Sequence, residues 1–317
     1  MINVRHLTKR YPNHTAVEDV SFSVQERETL VLLGTSGSGK TTTLKMINRL
    51  IEPTSGTVEI NGIDTLQQVP HELSRTIGYV VQETGLFPHY TVGENIAIVP
   101  RLLQWNKNRI RNRTYELLAM LRLPEKQLNA YPDQLSGGQR QRVGLARALA
   151  ANPPILLMDE PLGALDPITR AEIRQEFRNL DELRRKTVVL VTHDVREALE
   201  LGDRVGVMDN GRLLQLGTPK ELLLQPAHTF VRRFFGDQVL AFQLQVITLH
   251  DITPYILPES PEPDAIALQP AMSLNDALMQ LTKTGSGSGA LRVGDWSIRI
   301  RAADIWSALQ QLVPKSS

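Results

Sequence analysis

An α/β fold built on a mostly parallel sheet is what this 317-residue sequence predicts, and three observations predict it. The apolar runs 29–33, 155–158 and 187–192 lack the alternation of a half-solvated strand, so they read as strands buried on both faces. Helical stretches lie between strands, and a β–α–β–α order implies parallel neighbours joined by right-handed crossovers. Residues with phosphate, metal and acid–base chemistry follow directly after those runs, where open α/β sheets place their ligands.

In chain order, residues 2–8, 18–24 and 57–63 carry short alternating patterns broken by Gly and Pro, which predict an antiparallel flank beside the parallel core. The run 29–33 leads into Gly34-Thr35-Ser36-Gly37-Ser38-Gly39-Lys40-Thr41, of the form G-x-x-x-x-G-K-[ST], with Thr42 next to it. A helix over 41–50 follows, so the string sits between strand and helix as a phosphate cradle requires. Its backbone N–H groups and the helix N-terminus favour phosphate oxygens. Lys40 would reach the β- and γ-phosphates, and the Thr41 hydroxyl would ligate Mg²⁺. The turn Pro53-Thr54-Ser55-Gly56 separates that helix from the third flank strand.

A strand over 77–81 ends at Gln82, and residues 83–152 then read as a mostly helical insert. Ile110, Leu117, Leu118 and Leu121 show the helical spacing within 109–123. The buried strand 155–158 ends in Asp159-Glu160. Asp159 is placed to hold the Mg²⁺ shell, and Glu160 to take a proton from an attacking water. The strand 187–192 ends at His193, and a further strand covers 204–208. Together these residues predict binding and hydrolysis of ATP.

Within the helical insert stands Leu135-Ser136-Gly137-Gly138-Gln139. Ser136 is a helix N-cap, Gly137 and Gly138 permit close backbone approach, and Gln139 opens an arginine-rich helix, which makes a second anion site. One chain has no use for two γ-phosphate sites on one nucleotide. This string, with the two above, resembles the ABC transporter ATPases over residues 1–236. The fold the resemblance implies is a P-loop NTPase (RecA-like) core, an antiparallel β subdomain and a helical signature subdomain over about 83–152. It also implies that the signature loop of one subunit closes over ATP held by a second copy, leaving a monomer nearly inactive. Other roles follow from the same resemblance. Tyr11 would stack on adenine, and Gln82 would sense Mg²⁺ and the attacking water. Asp166, in Ala164-Leu165-Asp166, would act across the dimer, with Gly163 where serine is usual. His193 would contact the γ-phosphate and orient Glu160.

Composition bounds the partners. Lys and Arg number 35 against 34 Asp and Glu, a net +1 that offers no broad attraction to nucleic acid, and none is expected as a partner. The absence of cysteine excludes a disulfide framework. No run approaches the ~18 apolar residues of a membrane span, and the N-terminal residues lack the apolar core of a leader peptide. Transport would therefore need separate membrane permease subunits. The resemblance also implies a chain peripheral on the cytoplasmic face of the inner membrane, with an extracytoplasmic solute-binding protein as an indirect partner. The string Glu83-Thr84-Gly85-Leu86-Phe87-Pro88-His89-Tyr90-Thr91-Val92 pairs a hydrophobic knob with a rigid turn. The family resemblance implies that this surface receives a coupling helix of the permease, where an aromatic can anchor the interface. Gly85-Leu86-Phe87-Pro88-His89, with Thr35-Ser36-Gly37-Ser38, Leu44-Lys45-Met46-Ile47-Asn48-Arg49-Leu50 and Asn95-Ile96-Ala97-Ile98-Val99-Pro100, resembles the ATPases of quaternary-amine importers, whose cargoes are glycine betaine, choline, carnitine or proline. An importer ATPase for another small solute, such as an amino acid, is the alternative. A non-transport ABC ATPase is opposed by the single cassette and the lack of heptads.

From residue 237 the character changes, with five Lys or Arg against eight Asp or Glu. Pro254, Pro258, Pro261 and Pro263 predict a linker or extended segment. After it come an N-capped helix over 273–281, a flexible turn over Gly285-Ser286-Gly287-Ser288-Gly289, a strand pair at 290–293 and 296–300, and a helix over 303–312. Helix–strand–strand–helix resembles a single cystathionine-β-synthase-type (CBS) repeat, with residues 237–262 a worn remnant of a second. Residues 237–317 are thus expected to form a small α+β tail that regulates or dimerises.

Overall fold

The structure, a computed structural model, describes residues 2–82, 85–163, 165–262, 265–283, 287–293 and 296–313. The chain forms two compact units, Met1–Leu216 and Gly217–Ser317. In the first unit a six-stranded sheet forms the centre. It contains β3 (Thr29–Gly34), β6 (Ile77–Val80), β7 (Ile155–Asp159), β8 (Thr187–Thr192), β9 (Arg204–Asp209) and β10 (Arg212–Gly217) in the order β10-β9-β3-β8-β7-β6. The pairs β9/β3, β3/β8, β8/β7 and β7/β6 are all parallel. Every residue of β7 and β8 is buried, as continuous apolar runs require of strands covered on both faces. This arrangement sets the C-terminal ends of β3, β7 and β8 side by side, and with them Gly34, Asp159 and Thr192.

The antiparallel flank has the order β2-β1-β4-β5, with β1 (Ile2–Tyr11), β2 (His14–Val24), β4 (Ser55–Ile60) and β5 (Ile63–Asp64). Sequence reading missed β10. It is joined to β9 by Asn210-Gly211, both with positive φ, the signature of a tight hairpin turn. That turn also braces the phosphate loop: the Gly211 N–H donates to the Ser38 carbonyl at 3.1 Å, and its own carbonyl accepts from Glu18 N–H at 2.8 Å.

The helical insert contains helices Val92–Leu102, Lys107–Met120 and Gly137–Leu149. Thr91 and Glu94 form a capping box at the first, and Asn106 caps the second. Asn95 is fully buried. Its side chain accepts from Phe87 N–H and donates to the carbonyls of Phe87, Tyr90 and Thr91, pinning the loop before its own helix. Arg147 adds a bond to the Gly85 carbonyl at 2.6 Å. Phe87 and Tyr90 stay exposed on this held loop, while its first residues, Glu83 and Thr84, lie outside the described residues.

The second unit begins earlier than the boundary at 236 expected from composition. Helices Pro219–Leu224 and Thr229–Phe235 pack with Val239–Val246, and the Phe235 ring meets Phe242 edge-on at 6.5 Å. A three-stranded sheet, order β11-β12-β13, combines β11 (Ile266–Leu268), β12 (Ser288–Val293) and β13 (Trp296–Arg301). It shares one apolar core with helices Leu249–Ile252, Leu274–Leu281 and Ala302–Leu312, including Ile252, Leu268, Leu281, Leu291, Ile300 and Ile305. The predicted helices and strand pair are present, and Ser273 caps its helix by accepting from Asp276 N–H. The proline-rich stretch carries no helix or strand over residues 256–262, as an extended segment should, and Arg299 holds it by pairing with Glu259 and Glu262. Residues 239–255, which lead into it, are largely helical. Ser288 and Gly289 belong to β12 rather than to a turn. Gly285, Ser286 and Pro263 lie outside the described residues.

Candidate functional site

The phosphate loop spans the end of β3 and the start of helix Lys40–Ile47. Gly39 stands in the left-handed region at φ 98°, and a Cβ there would come within 2.4 Å of the Ala16 carbonyl, so only glycine fits. Lys40 is 4% exposed and donates to the Gly34 and Thr35 carbonyls and to the Ser38 hydroxyl at 2.9, 2.7 and 3.3 Å. Burial lowers its pKa, and the charges of Glu160 and Asp159 oppose that shift. A cavity of about 290 Å³ is lined by Ser36 to Thr42, by Gln82 and Glu160, and by His14, Thr15 and Ala16. Those last three were not found by sequence reading. The β1–β2 hairpin brings them over the loop, and nothing in their residue types signals it. Tyr11 does not line the cavity. It stacks on His14, with ring centroids 5.2 Å apart and planes 22° apart, and so stands at the rim.

At the end of β7 the Asp159 carboxylate accepts from the Thr41 hydroxyl at 2.8 Å. Burial raises the Asp159 pKa, opposed chiefly by that hydrogen bond. A carboxylate and a hydroxyl held together in a buried corner are oxygen ligands that suit Mg²⁺, and a cation there would favour the charged carboxylate. Among the described residues no cluster of three or more His, Cys, Asp or Glu forms a full metal cage. Gln82 lines the same cavity, but its hydrogen bond runs to Glu160 rather than to Thr41 or Asp159.

Glu160 is the meeting point. Its Oε2 lies 3.3 Å from Gln82 Nε2 and 3.2 Å from His193 Nδ1. Its backbone has φ 44°, a left-handed conformation costly for a residue with a side chain. Such strain persists only where the surroundings over-determine it, as at reacting sites. Gly163 leaves room beside it, since a Cβ there would sit 3.3 Å from Glu160 Oε2.

The signature residues are not part of that cavity. Ser136 caps helix Gly137–Leu149 in a reciprocal box with Gln139, with bonds of 3.2 and 2.9 Å. Gly138 packs close to Thr169, on the helix that Asp166 caps. Asp166 accepts from the N–H groups of Ile168 and Thr169, and hydrogen bonding to Thr169 holds its carboxyl below the usual range. Ala164 lies outside the described residues.

One buried carboxyl near the site escaped sequence reading. Glu197 accepts from the Thr192 hydroxyl, and burial pushes its pKa from 4.5 up to about 7. A folded-state pKa above the unfolded one means the folded chain keeps a proton the unfolded chain has released. Stability should therefore fall as pH rises from about 4.5 to 7 and stay lowered above. Glu197→Gln removes this pH dependence, because the amide does not titrate. Its stability relative to wild type in urea melts should improve from pH 5 to pH 8 by up to about 3 kcal/mol. A constant difference across that range would refute the assignment.

The ABC transporter family profile matches residues 17–163. The chain is 47% identical over 285 residues to the glycine betaine uptake system ATP-binding protein YehX of Escherichia coli K12, covering 90% of this chain and 92% of that protein. It is 49% identical to the osmoprotectant import ATP-binding protein OsmV of Salmonella typhimurium, covering 80% of this chain and 68% of that protein. Among solved structures, the dimeric post-hydrolysis ATP-binding cassette MJ0796 bound to ADP and Pi matches with a TM-score of 0.62 and 38% identity, covering 69% of this chain and 98% of that one. By its sheet order, its phosphate loop and its likeness to these proteins, the chain belongs to the ABC transporter family and is similar to the ATP-binding subunits of osmoprotectant importers.

Proposed function

We propose that this chain is the ATP-hydrolysing subunit of an importer for quaternary-amine compatible solutes such as glycine betaine or choline. The observation that carries the catalytic part is the placement of Glu160, oriented by Gln82 and His193 at the edge of the phosphate-loop cavity. The phosphate loop holds the triphosphate through its backbone N–H groups, and Lys40 supplies positive charge at its far end. Mg²⁺, when bound, offsets phosphate charge, and Thr41 and Asp159 are the residues that would hold it, with Gln82 in reach of the same cavity. Glu160 accepts the proton of the attacking water, and His193 and Gln82 keep its carboxylate aimed. Tyr11 stacks on the base from the rim of the cavity, a role its stacking on His14 supports. In this reading two copies pair, so that Ser136, Gly137, Gly138 and Gln139 of one close on the nucleotide of the other, with Asp166 near the seam.

Among the described residues no helix is long and apolar enough to cross a membrane. The chain acts on separate permease subunits at the cytoplasmic face, docking through the held loop that exposes Phe87 and Tyr90, and an extracytoplasmic solute-binding protein delivers the cargo. Residues 237–317 act as a regulatory or dimerising tail. Their helix–strand–strand–helix order supports a single CBS-type repeat. Similarity to glycine betaine and osmoprotectant import proteins supports the choice of cargo. Deletion of the gene in its host should abolish uptake of one of labelled glycine betaine, choline, carnitine or proline. The intact gene should restore it, and Lys40→Ala should not. Unchanged uptake of all four, with redundant importers also removed, would overturn the cargo.

A further inference from the structure

Behind His193 lies a buried hydrogen-bonded strap. β8 ends at Thr192, His193 forms the bend, and Asp194 caps helix Val195–Leu201. The Thr192 hydroxyl accepts from Asp194 N–H at 3.0 Å and donates to Glu197 Oε2 at 2.5 Å. These two bonds close the chain on both sides of His193.

Glu197 is 2% exposed. β3 and β8, which pack against its helix, carry no ionisable residue. The helix Pro167–Asn179 brings Arg170 and Arg174 towards it, yet both bond elsewhere. Arg174 binds Glu200, on the same helix as Glu197. Arg170 binds Asp194 at 3.5 Å and donates to the carbonyls of Leu162, Gly163 and Leu165, in the loop that follows Glu160. A buried carboxyl with so few partners is costly, and an apolar side chain would pack the same helix without that cost. What the carboxyl adds is a fixed acceptor for the one hydroxyl that shapes the His193 turn.

We propose that Glu197 is a positioning residue for ATP hydrolysis, acting through the Thr192 hydroxyl to hold the turn that sets His193 against Glu160. The inference rests on the reading of Glu160 as the base. Full-length Glu197→Ala and Thr192→Val should each lower kcat for Mg–ATP by about tenfold or more, because a small misplacement of an orienting group carries that penalty. KM and the directly measured ATP affinity should stay within about twofold, since neither residue lines the nucleotide cavity. Glu197→Gln and Thr192→Ser, which keep acceptor and hydroxyl, should recover most of the loss.

The four variants are compared with wild type by steady-state hydrolysis, ATP titration and thermal melting. The Thr192 pair decides the matter if Glu197→Ala fails to fold. A wild-type chain that binds but does not hydrolyse Mg–ATP would overturn the reading of Glu160 and this inference with it. A hydrolysing wild type, with folded Glu197→Ala or Thr192→Val within twofold of its kcat, would overturn the inference alone. So would a loss confined to KM, or conservative variants as impaired as the severe ones.

Discussion

Glu160→Gln should bind ATP as wild type does, hydrolyse it about 10²- to 10⁴-fold more slowly, and accumulate as an ATP-loaded dimer. The rate figure is what a positioned general base contributes. Glutamine preserves the shape of the side chain and can still meet Gln82 and His193, so the amide loses the ability to take a proton and little else. The strained backbone at residue 160 supports this choice of variant. A change to glycine would relax the left-handed segment at φ 44° as well as remove the chemistry, and its effect could not be ascribed to either. Asp159 is left untouched, still paired with Thr41 at 2.8 Å, so the metal corner persists. Size-exclusion chromatography with Mg–ATP, beside single-turnover hydrolysis, reads both arms. Hydrolysis at the wild-type rate would remove Glu160 from the base role. Slow hydrolysis without a dimer would leave the base in place and count against the paired-cassette reading.

The parallel core was legible because burial on both faces removes alternation, so 155–158 and 187–192 announce themselves as central strands. The phosphate loop was legible because its glycines answer a geometric demand, seen at Gly39 against the Ala16 carbonyl. Glu160 and His193 were legible as residues at strand ends, but their 3.2 Å contact depends on β7 and β8 being neighbours in register, which no local pattern states. β10 should have been found, since Asn210-Gly211 is a strong hairpin signal between β-rich segments. The lining by His14, Thr15 and Ala16 could not have been found, because a small or polar residue in a flank strand looks the same over a cavity or over solvent. Helices at 239–246 and 249–252 were hidden by the prolines that follow them. The proline-rich stretch was legible as extended, but the ion pairs from Arg299 that hold it were not, because they join residues about 40 apart in sequence. Glu197 was hidden for a related reason: acidic residues on helices are usually solvated, and only tertiary packing buries this one.

The separation of the signature loop from the phosphate-loop cavity within one chain leads to the second large effect. Lys40→Ala and Gly137→Asp should each be nearly inactive alone, and an equimolar mixture should regain about a quarter of the wild-type rate. In a twofold dimer, half of the pairs in such a mixture are mixed. A mixed pair has one site with both lesions and one site with none. Gly137 is the better lesion than Ser136, which caps the helix and is tied to Gln139. A Cβ at 137 would meet only Leu165 Cδ2, at 3.5 Å, so the chain accommodates the new side chain. An aspartate in the first turn also suits the helix dipole, leaving charge repulsion of a partner's phosphates as the main effect. Differential tags verify that mixed pairs form. With Glu160→Gln added to both chains, the mixture should occlude one ATP per mixed pair. If phosphate loop and signature loop of the same chain served one nucleotide, neither variant could rescue the other, and both recovery and occlusion would be absent.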